Sequence, residues 1–254
     1  VQNDMISKNQ VKYIRSLALK KYRDQYRCFV AEGPKVVADL MAADDPEMLV
    51  ATADWFNTVG VSPRPNDIIV NEDELRKVSF LQHPQQVIGI FRIPDEEILY
   101  DVCLNELCLA LDKVQDPGNL GTIIRIADWF GITTIFCSVD TADAYNPKVV
   151  QATMGSIARV RIIYTELCEM LDKLPANIPV YATSLDGDDI YNQDLSQTGL
   201  IIMGNEGKGV SSQVMSRVNR RLFIPCYRHA RGIDSLNVAV ATAITCAEFK
   251  RRYR

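Results

Sequence analysis

Short apolar runs recur through the second half of this chain, and segments with helical character separate most of them. This alternation constrains the fold more than any other feature, because strands joined through helices run parallel and their sheet must be covered on both faces. The sequence therefore predicts an α/β fold with a parallel sheet, whose ligands bind beyond the carboxyl ends of the strands. The predicted strands are 107–111, 133–137, 159–163, 178–182, 199–203 and 221–224. The predicted helices are 119–130, 146–154, 165–173, 211–219 and 235–253.

The first hundred residues follow a looser pattern, which predicts a smaller α/β domain. A basic amphipathic helix is predicted at 5–27, a strand at 28–33, and a helix that begins at Pro34. Further apolar runs lie at 48–51, 68–70 and 87–91. The polar segment RIPDEE at 92–97 predicts a linker. We therefore divide the chain into domains 1–97 and 98–254.

Composition excludes several classes of protein. No apolar run approaches the roughly 18–20 residues of a membrane span, and the polar start VQNDMISKNQVKY is not expected to be a signal peptide. The seven cysteines form no CxxC pair, and the two histidines lie far apart. We expect no metal site, no disulfide framework and no membrane, and a cytoplasmic location.

Basic residues are clustered although the net charge is −4. Seven cations and one acid lie between 8 and 27, a second group lies at 217–231, and the chain ends in KRRYR. Any one cluster fits a solvated helix face equally well. Three clusters together favour an anionic polymer as partner.

A glycine-rich loop, GNEGKGVS at 204–211, follows the apolar run 199–203. It has neither the Walker A spacing nor the dinucleotide pattern GxGxxG, and Glu206 would repel a phosphate. The ligand at this loop is therefore expected to be neutral or cationic, or else Glu206 points at something other than the ligand. Gly204 is expected to give the ligand room, so that Gly204→Val should block it in an intact fold. The plainer interpretation is an ordinary turn between strand and helix.

Two further strand ends carry polar residues. Asn119 is a good N-cap for helix 119–130, and Arg125 lies among Ile and Ala on that helix. Arg125 either pairs with Asp128 or meets a carboxylate, a phosphate or a partner surface. Ser235 is the predicted cap of the last helix, which leaves Asn237 unexplained inside its first turn.

Three motifs, DPGNLGTIIRIADWFGI, IIMGNEGKGVS and IP…SLNVAVATAI, resemble in this order those of the SpoU-type, TrmH-like RNA 2′-O-ribose methyltransferases of the SPOUT superfamily. They span about 111–244. The segment FVAEGPKVV resembles the ribosomal-protein-like substrate-binding domain that often precedes this catalytic domain. The resemblance implies a trefoil knot, S-adenosylmethionine as cofactor, RNA as substrate, and a homodimer with the active site at its interface.

The resemblance also implies roles for individual residues. The expected cofactor contacts are Thr183, Ser184, Leu185, Gly204, Asn205, Gly207, Ile224 and Leu236. The expected catalytic residues are Asn119, Glu206, Ser235, Asn237 and Arg125, of which Arg125 is either the base or the group that stabilises charge. The expected RNA contacts are Lys8, Lys12, Arg15, Lys20, Lys21, Arg23, Arg228 and Arg231. A link between Ile224 and Leu236 longer than usual in the family leaves cofactor contacts within 226–234 unassigned.

These features together predict an S-adenosylmethionine-dependent RNA 2′-O-methyltransferase. Ribosomal RNA is favoured over tRNA, because the N-terminal domain is present and a C-terminal extension is absent. Three alternatives stay open: a tRNA-specific enzyme, a catalytically silent RNA-binding protein with the same fold, and a nicotinamide-dependent oxidoreductase. The last lacks its fingerprint, and a measured cofactor affinity would separate the methyltransferase from the silent RNA-binding protein.

Overall fold

A computed structural model describes residues 6–227 and 235–253 of the chain. It divides into two compact units. One comprises residues up to Asp95 together with Asp143–Ala158, and the other comprises Glu96–Ala142 with the residues from Arg159 onward. Within the described residues, no helix is both long enough and apolar enough to cross a membrane.

The first unit is built on a four-stranded sheet. Its strands are β1 (Cys28–Glu32), β2 (Met48–Ala51), β3 (Ile68–Ile69) and β4 (Val87–Arg92). The order is β1-β4-β2-β3, with β4 antiparallel to both of its neighbours and β3 parallel to β2. The helices in this part of the chain are α1 (Lys8–Ser16), α2 (Lys20–Tyr26), α3 (Pro34–Met41), α4 (Ala53–Val59) and α5 (Glu72–Val78).

The second unit contains a six-stranded sheet in which every adjacent pair is parallel. Its strands are β5 (Leu107–Leu111), β6 (Thr134–Ser138), β7 (Arg161–Thr165), β8 (Val180–Asp189), β9 (Gly199–Met203) and β10 (Arg220–Phe223). The strand order is β10-β8-β9-β5-β6-β7. The later helices are α6 (Val102–Asn105), α7 (Pro117–Trp129), α8 (Pro147–Thr153), α9 (Leu167–Lys173), α10 (Ser212–Met215) and α11 (Val238–Arg251).

The parallel sheet confirms the predicted fold class. Every residue of β5, β6 and β9 is buried, as expected where both faces of a parallel sheet are covered. Strands β5 and β9 coincide with predicted strands, because a continuous apolar run between two turn signals defines where a strand begins and ends.

The predicted helix at 5–27 is wrong, because the chain breaks between α1 and α2 around Leu17 and Leu19. Leu17 is fully buried, and Leu19 has an extended backbone. Arg23 stabilises the break by donating from Nη1 to the Leu17 carbonyl at 2.7 Å. The Arg23 side chain also forms an ion pair with Asp143 and is only 1% exposed.

The segment Asp143–Ala158 belongs to the first unit although it lies within the predicted second domain. Its helix α8 packs against β1, and the Tyr145 ring centroid is 5.0 Å from that of Phe29. Together with the ion pair to Arg23, these contacts anchor the segment. The roles assigned to domains 1–97 and 98–254 stay predictions.

The predicted helix at 211–219 is also shorter than expected, since α10 ends at Met215. Beyond it, the Asn219 side chain accepts a hydrogen bond from the Val180 amide at 2.5 Å. This bond ties the chain to β8 at the point where β10 begins and competes with a longer helix.

Candidate active site

A cavity of about 470 Å³ lies at β8, β9 and β10 and is bounded by the start of α11. All eight residues expected to contact a cofactor line it, although they come from four separate parts of the sequence: Thr183, Ser184, Leu185, Gly204, Asn205, Gly207, Ile224 and Leu236. The structure thus brings this set together. Their function as cofactor contacts stays a prediction.

The cavity walls combine apolar side chains with a few polar groups. Leu222, Val238 and Ala241 contribute apolar surface that the sequence did not assign to the site. Leu222 lies two residues before the expected contact Ile224. Val238 and Ala241 lie on α11, shortly after the expected contact Leu236. Their closeness in sequence to predicted contacts was the signal that could have identified them as cavity residues.

The glycine-rich loop is closed by its own hydrogen bonds. Asn205 and Gly209 exchange backbone bonds of 3.0 and 2.9 Å. The Asn205 side-chain oxygen accepts from the amides of Gly207 and Lys208 at 3.0 and 3.1 Å. Asn205 therefore shapes the loop as well as lining the cavity.

The three glycines of this loop differ in what a side chain at each position would meet. A Cβ on Gly204 would lie 2.1 Å from the Gly209 carbonyl carbon, and Gly209 has a φ of +68°. A Cβ on Gly207 would meet only Asn205 Oδ1, at 3.8 Å. The expectation that Gly204→Val blocks a ligand in an intact fold is therefore wrong, because the new side chain would strike the backbone of the loop itself.

We expect Gly204→Ala to destabilise the protein by about 1–3 kcal/mol, the usual cost of forcing an extra methyl group into packed structure. Gly207→Ala is the matched control in the same loop and should leave the midpoint of thermal unfolding nearly unchanged. Differential scanning calorimetry of both variants makes the comparison. Equal midpoints for the two variants would contradict the assigned role of Gly204.

A polar network joins three segments beside the cavity. Glu206 Oε1 accepts from Asn119 Nδ2 at 3.0 Å and from the Asp116 amide at 3.3 Å. Asn119 Oδ1 in turn accepts from Asn237 Nδ2 at 2.9 Å. The network holds the glycine-rich loop, the start of α7 and the start of α11 together, so that three of the five predicted catalytic residues are in contact.

The capping residues differ from those predicted. Asp116, not Asn119, caps α7 by accepting from the Asn119 amide at 2.7 Å. Asn237, not Ser235, caps α11 by accepting from the Ala239 amide at 2.9 Å. Asn237 thus lies at the helix boundary, where asparagine is favoured, and the Asn119 side chain is available for the network. Ser235 lines the cavity.

The Glu206 carboxylate is stabilised in its charged form. Burial acts to raise the pKa of Glu206, but hydrogen bonds from Asn119 and from backbone amides outweigh it, and the pKa lies below the ordinary value. The site therefore keeps a negative charge at neutral pH. This charge favours a cationic ligand and disfavours a phosphate.

The lowered pKa of Glu206 predicts a contribution to acid stability. A carboxylate whose pKa is lower in the folded state stabilises the fold above its unfolded pKa, near 4.5, and this contribution is lost as the pH falls through the folded value. Since other carboxylates titrate in the same range, the measured quantity is a difference between proteins. Urea unfolding between neutral pH and pH 3 should show a shallower loss of stability for Glu206→Gln than for wild type. Parallel curves would contradict the pKa direction.

The two residues that directly follow β5 support the site, although the sequence analysis did not single them out. Asp112 is buried and accepts from the Ser211 amide at 2.7 Å, which anchors the far end of the glycine-rich loop. Lys113 has a φ of +61°, and its carbonyl accepts from Asn205 Nδ2 at 2.8 Å. A non-glycine residue in this conformation is strained and persists only where its surroundings require it.

Arg125 is exposed on α7 and makes no hydrogen bond or ion pair with any residue that the structure describes. The interpretation as a partner of Asp128 is wrong, because Asp128 instead accepts from Arg159 at 2.8–3.1 Å. One turn after Arg125, Trp129 is 84% exposed. Arg125 is thus the one predicted catalytic residue that lies neither in the network nor at the cavity.

The expected RNA contacts fall into three groups. Lys8, Lys12, Lys20 and Lys21 are exposed on α1 and α2. Arg15 is exposed but donates to the Ser79 carbonyl at 2.7 Å, whereas Arg23 is buried, which removes it as a direct RNA contact. Arg228 and Arg231 lie outside the described residues.

The basic C-terminus serves the fold. Arg251 and Arg252 both pair with the buried carboxylate of Glu248. Arg252 also donates to backbone carbonyls of Ile190 and Tyr191 at 3.1 and 3.0 Å. Arg252 therefore holds a neighbouring loop, and both described arginines of this cluster are engaged by the Glu248 carboxylate.

Comparison with known families gives two matches. The model of the SpoU rRNA methylase family matches residues 106–247, which include the whole cavity. An MRM3-like substrate-binding domain matches residues 8–89, in the first unit.

Individual relatives match over nearly the full chain. The sequence is 32% identical to the 23S rRNA (guanosine(2553)-2′-O)-methyltransferase RlmP of Bacillus subtilis, covering 94% of this chain and 95% of the relative. A TrmH-family protein from Porphyromonas gingivalis superposes with a TM-score of 0.87 at 37% identity, over 98% and 99% of the two chains. An AdoMet-bound rRNA methyltransferase from Sinorhizobium meliloti gives 0.83 at 34% identity, over 96% and 95%.

Proposed function

The chain belongs to the SpoU rRNA methylase family, and on this basis we propose that it methylates a ribose 2′-hydroxyl of rRNA with S-adenosylmethionine. The observation that carries the proposal is the convergence of the eight residues expected to contact a cofactor on one cavity, beside the network of Asn119, Glu206 and Asn237. The relative from Bacillus subtilis, named for a guanosine of 23S rRNA, makes large-subunit rRNA the first substrate to test.

The cavity suits S-adenosylmethionine in size and chemistry. Its volume of about 470 Å³ lies within the usual range of small-molecule sites. Leu222, Val238 and Ala241 offer apolar contacts to a neutral adenine. Thr183 and Ser184 offer hydroxyl groups, and the Glu206 carboxylate is compatible with a sulfonium. S-adenosylmethionine, when bound, supplies a methyl group activated by that positive charge.

The reaction forms an oxygen–carbon bond at the ribose, breaks a sulfur–carbon bond, and releases the hydroxyl proton. A guanidinium stays positively charged at all ordinary pH values. We therefore assign Arg125 to holding RNA and stabilising the developing negative oxygen, in preference to acting as base. Asn119, Glu206 and Asn237 hold the loop and both helix starts in place, and Ser235 contributes a hydroxyl at the cavity.

We further propose that the protein is a cytoplasmic homodimer with a trefoil knot in the second unit. Support for the dimer comes from apolar side chains on the packed helices α7 and α11, where Trp129 and Val240 are 84% and 48% exposed. Arg125 is exposed on α7 and lacks a partner among the described residues, as expected if it serves the site of a second copy. Light scattering should report twice the monomer mass, and a monomer at micromolar concentration would contradict the shared site.

The proposed function is tested with purified protein, labelled S-adenosylmethionine, and RNA from cells that lack this protein. We expect label in large-subunit rRNA, at one ribose that mapping of 2′-O-methyl groups identifies. Label in tRNA alone would establish the tRNA-specific alternative. RNA binding with neither cofactor binding nor methyl transfer would establish the silent RNA-binding protein.

A further inference from the structure

Helices α1 and α2 of the first unit present an aromatic cluster beside exposed lysines. The rings of Tyr22 and Tyr26 are nearly parallel, at 13° with centroids 6.2 Å apart. Tyr13 meets Tyr26 edge-on at 5.1 Å. Tyr26 nevertheless remains 42% exposed. Its ring is therefore held by two neighbours, while about two fifths of the residue stays accessible to solvent.

Positive charge surrounds this cluster. Lys20 and Lys21 are exposed at the start of α2, and the Lys21 amine lies 4.7 Å from the centroid of the Tyr22 ring. Lys8 and Lys12 are exposed on α1. Asp24 is the only acid between residues 8 and 27, in a chain whose net charge is −4. The charge of this surface is thus opposite to that of the chain as a whole and complementary to a polyanion.

We propose that this surface, formed by Tyr22, Tyr26, Lys20 and Lys21, binds an unpaired nucleotide of the substrate RNA by stacking a base on Tyr26. The lysines contact the adjoining phosphates. This inference rests on the proposed function for the identity of the polymer, and it adds the kind of RNA element that the first unit binds.

The aromatic ring distinguishes an unpaired nucleotide from a duplex. Lysines alone would bind the phosphates of either form. In an RNA helix the bases are stacked on one another, and side chains reach mainly ribose hydroxyls and phosphates. Only a base in a loop, bulge or single strand has a free face for Tyr26, and such stacking is tolerant of sequence. A held, half-exposed tyrosine is therefore better suited to an unpaired base.

The test uses the full chain and two labelled probes, a single-stranded oligoadenylate and an RNA duplex of equal length. Tyr26→Leu keeps apolar volume but removes the flat ring, and Tyr26→Phe keeps the ring. Fluorescence anisotropy should show that Tyr26→Leu weakens single-strand binding about five- to 150-fold, the range of losing one stacked base. Its affinity for the duplex should be unchanged, and Tyr26→Phe should bind both probes as wild type does.

Tyr191→Leu is the matched control, because Tyr191 is equally exposed, at 42%, and lies in the second unit. It should bind both probes as wild type does. If Tyr26→Leu lost affinity equally for the two probes, the proposal would be overturned. If it lost affinity for neither probe, the proposal would also be overturned, and a protein would become the expected partner of this surface. Equal losses in Tyr26→Leu and Tyr191→Leu would overturn it too.

The lysines have a separate signature. Replacing both Lys20 and Lys21 by alanine should reduce the slope of log affinity against log salt concentration by about 1.4, or about 0.7 for each lost phosphate contact on a single strand. An unchanged slope would overturn the phosphate contacts. All of these experiments measure RNA binding in the absence of S-adenosylmethionine. Their outcome therefore does not depend on whether the wild-type protein transfers a methyl group.

Discussion

Arg125→Ala is expected to lower the rate of methyl transfer by about a hundredfold or more, the scale of losing one preorganised electrostatic group. Folding and cofactor binding should be nearly unchanged, because Arg125 is exposed and bonds to no described residue. Single-turnover transfer to rRNA, calorimetric titration with S-adenosylmethionine and thermal unfolding measure the three quantities. An alanine variant that transfers methyl groups at the wild-type rate would remove Arg125 from the mechanism.

Two further variants sharpen this test. Arg125→Lys should restore little activity, because an ammonium group cannot reproduce the planar fork of the guanidinium. Arg217→Ala is the control for losing a partly exposed arginine of the second unit, since Arg217 already pairs with Asp172 at 2.7 Å. It should retain wild-type activity, and a comparable loss there would point to a general effect of surface charge.

The second large effect is expected from Ala241→Phe. Ala241 lines the cavity on α11, so a phenylalanine ring should occupy space that the cofactor needs. Calorimetry should show affinity for S-adenosylmethionine falling about a hundredfold, near the upper end of the 1–3 kcal/mol cost of forcing extra volume into a filled site. Methyl transfer at low cofactor concentration should fall in proportion.

Ala247→Phe is the matched control, because Ala247 is exposed on the same helix and does not line the cavity. This variant should bind the cofactor normally. The stabilisation of the protein by saturating S-adenosylmethionine, about 2.7 kcal/mol at a hundredfold excess over Kd, should persist in Ala247→Phe and largely disappear in Ala241→Phe. Normal cofactor affinity in a folded Ala241→Phe protein would place the cofactor elsewhere.

The two variants together test whether the active site is shared between subunits. If each site takes Arg125 from one chain and its cavity from the other, a mixed dimer of Arg125→Ala and Ala241→Phe chains has one doubly defective and one intact site. About half of the wild-type activity per mixed dimer should then return. If each chain supplies both elements to its own site, every site carries one defect and activity stays near zero. Mass spectrometry must first show that subunits exchange.

The local sequence pattern was sufficient to predict the limits of strands that are uninterrupted apolar runs. The strands at 107–111 and 199–203 were predicted to the residue, because uninterrupted apolar runs between turns have clear ends. The common site of Asn119, Glu206 and Asn237 was implied by the family resemblance of their motifs, and the structure brings their side chains into contact.

Helix boundaries were less predictable. Asp116 and Asn119, or Ser235 and Asn237, are both acceptable caps by residue type, and a shift of the first turn by two or three residues exchanges their roles. The choice matters here, because Asn119 Oδ1 would turn to the helix amides as a cap, whereas in the structure it accepts from Asn237 Nδ2.

By itself, the sequence determined the α/β class and the limits of the fully buried strands 107–111 and 199–203, and its family resemblance pointed to eight of the residues that line the cavity. Only the tertiary structure decided which cations are available to a ligand. Arg23 pairs with Asp143, 120 positions away, and Arg252 donates to carbonyls about 60 positions away. The physical reason is that apolar periodicity is a local property of the chain, whereas the burial and pairing of a charge depend on neighbours that only folding brings within hydrogen-bond distance.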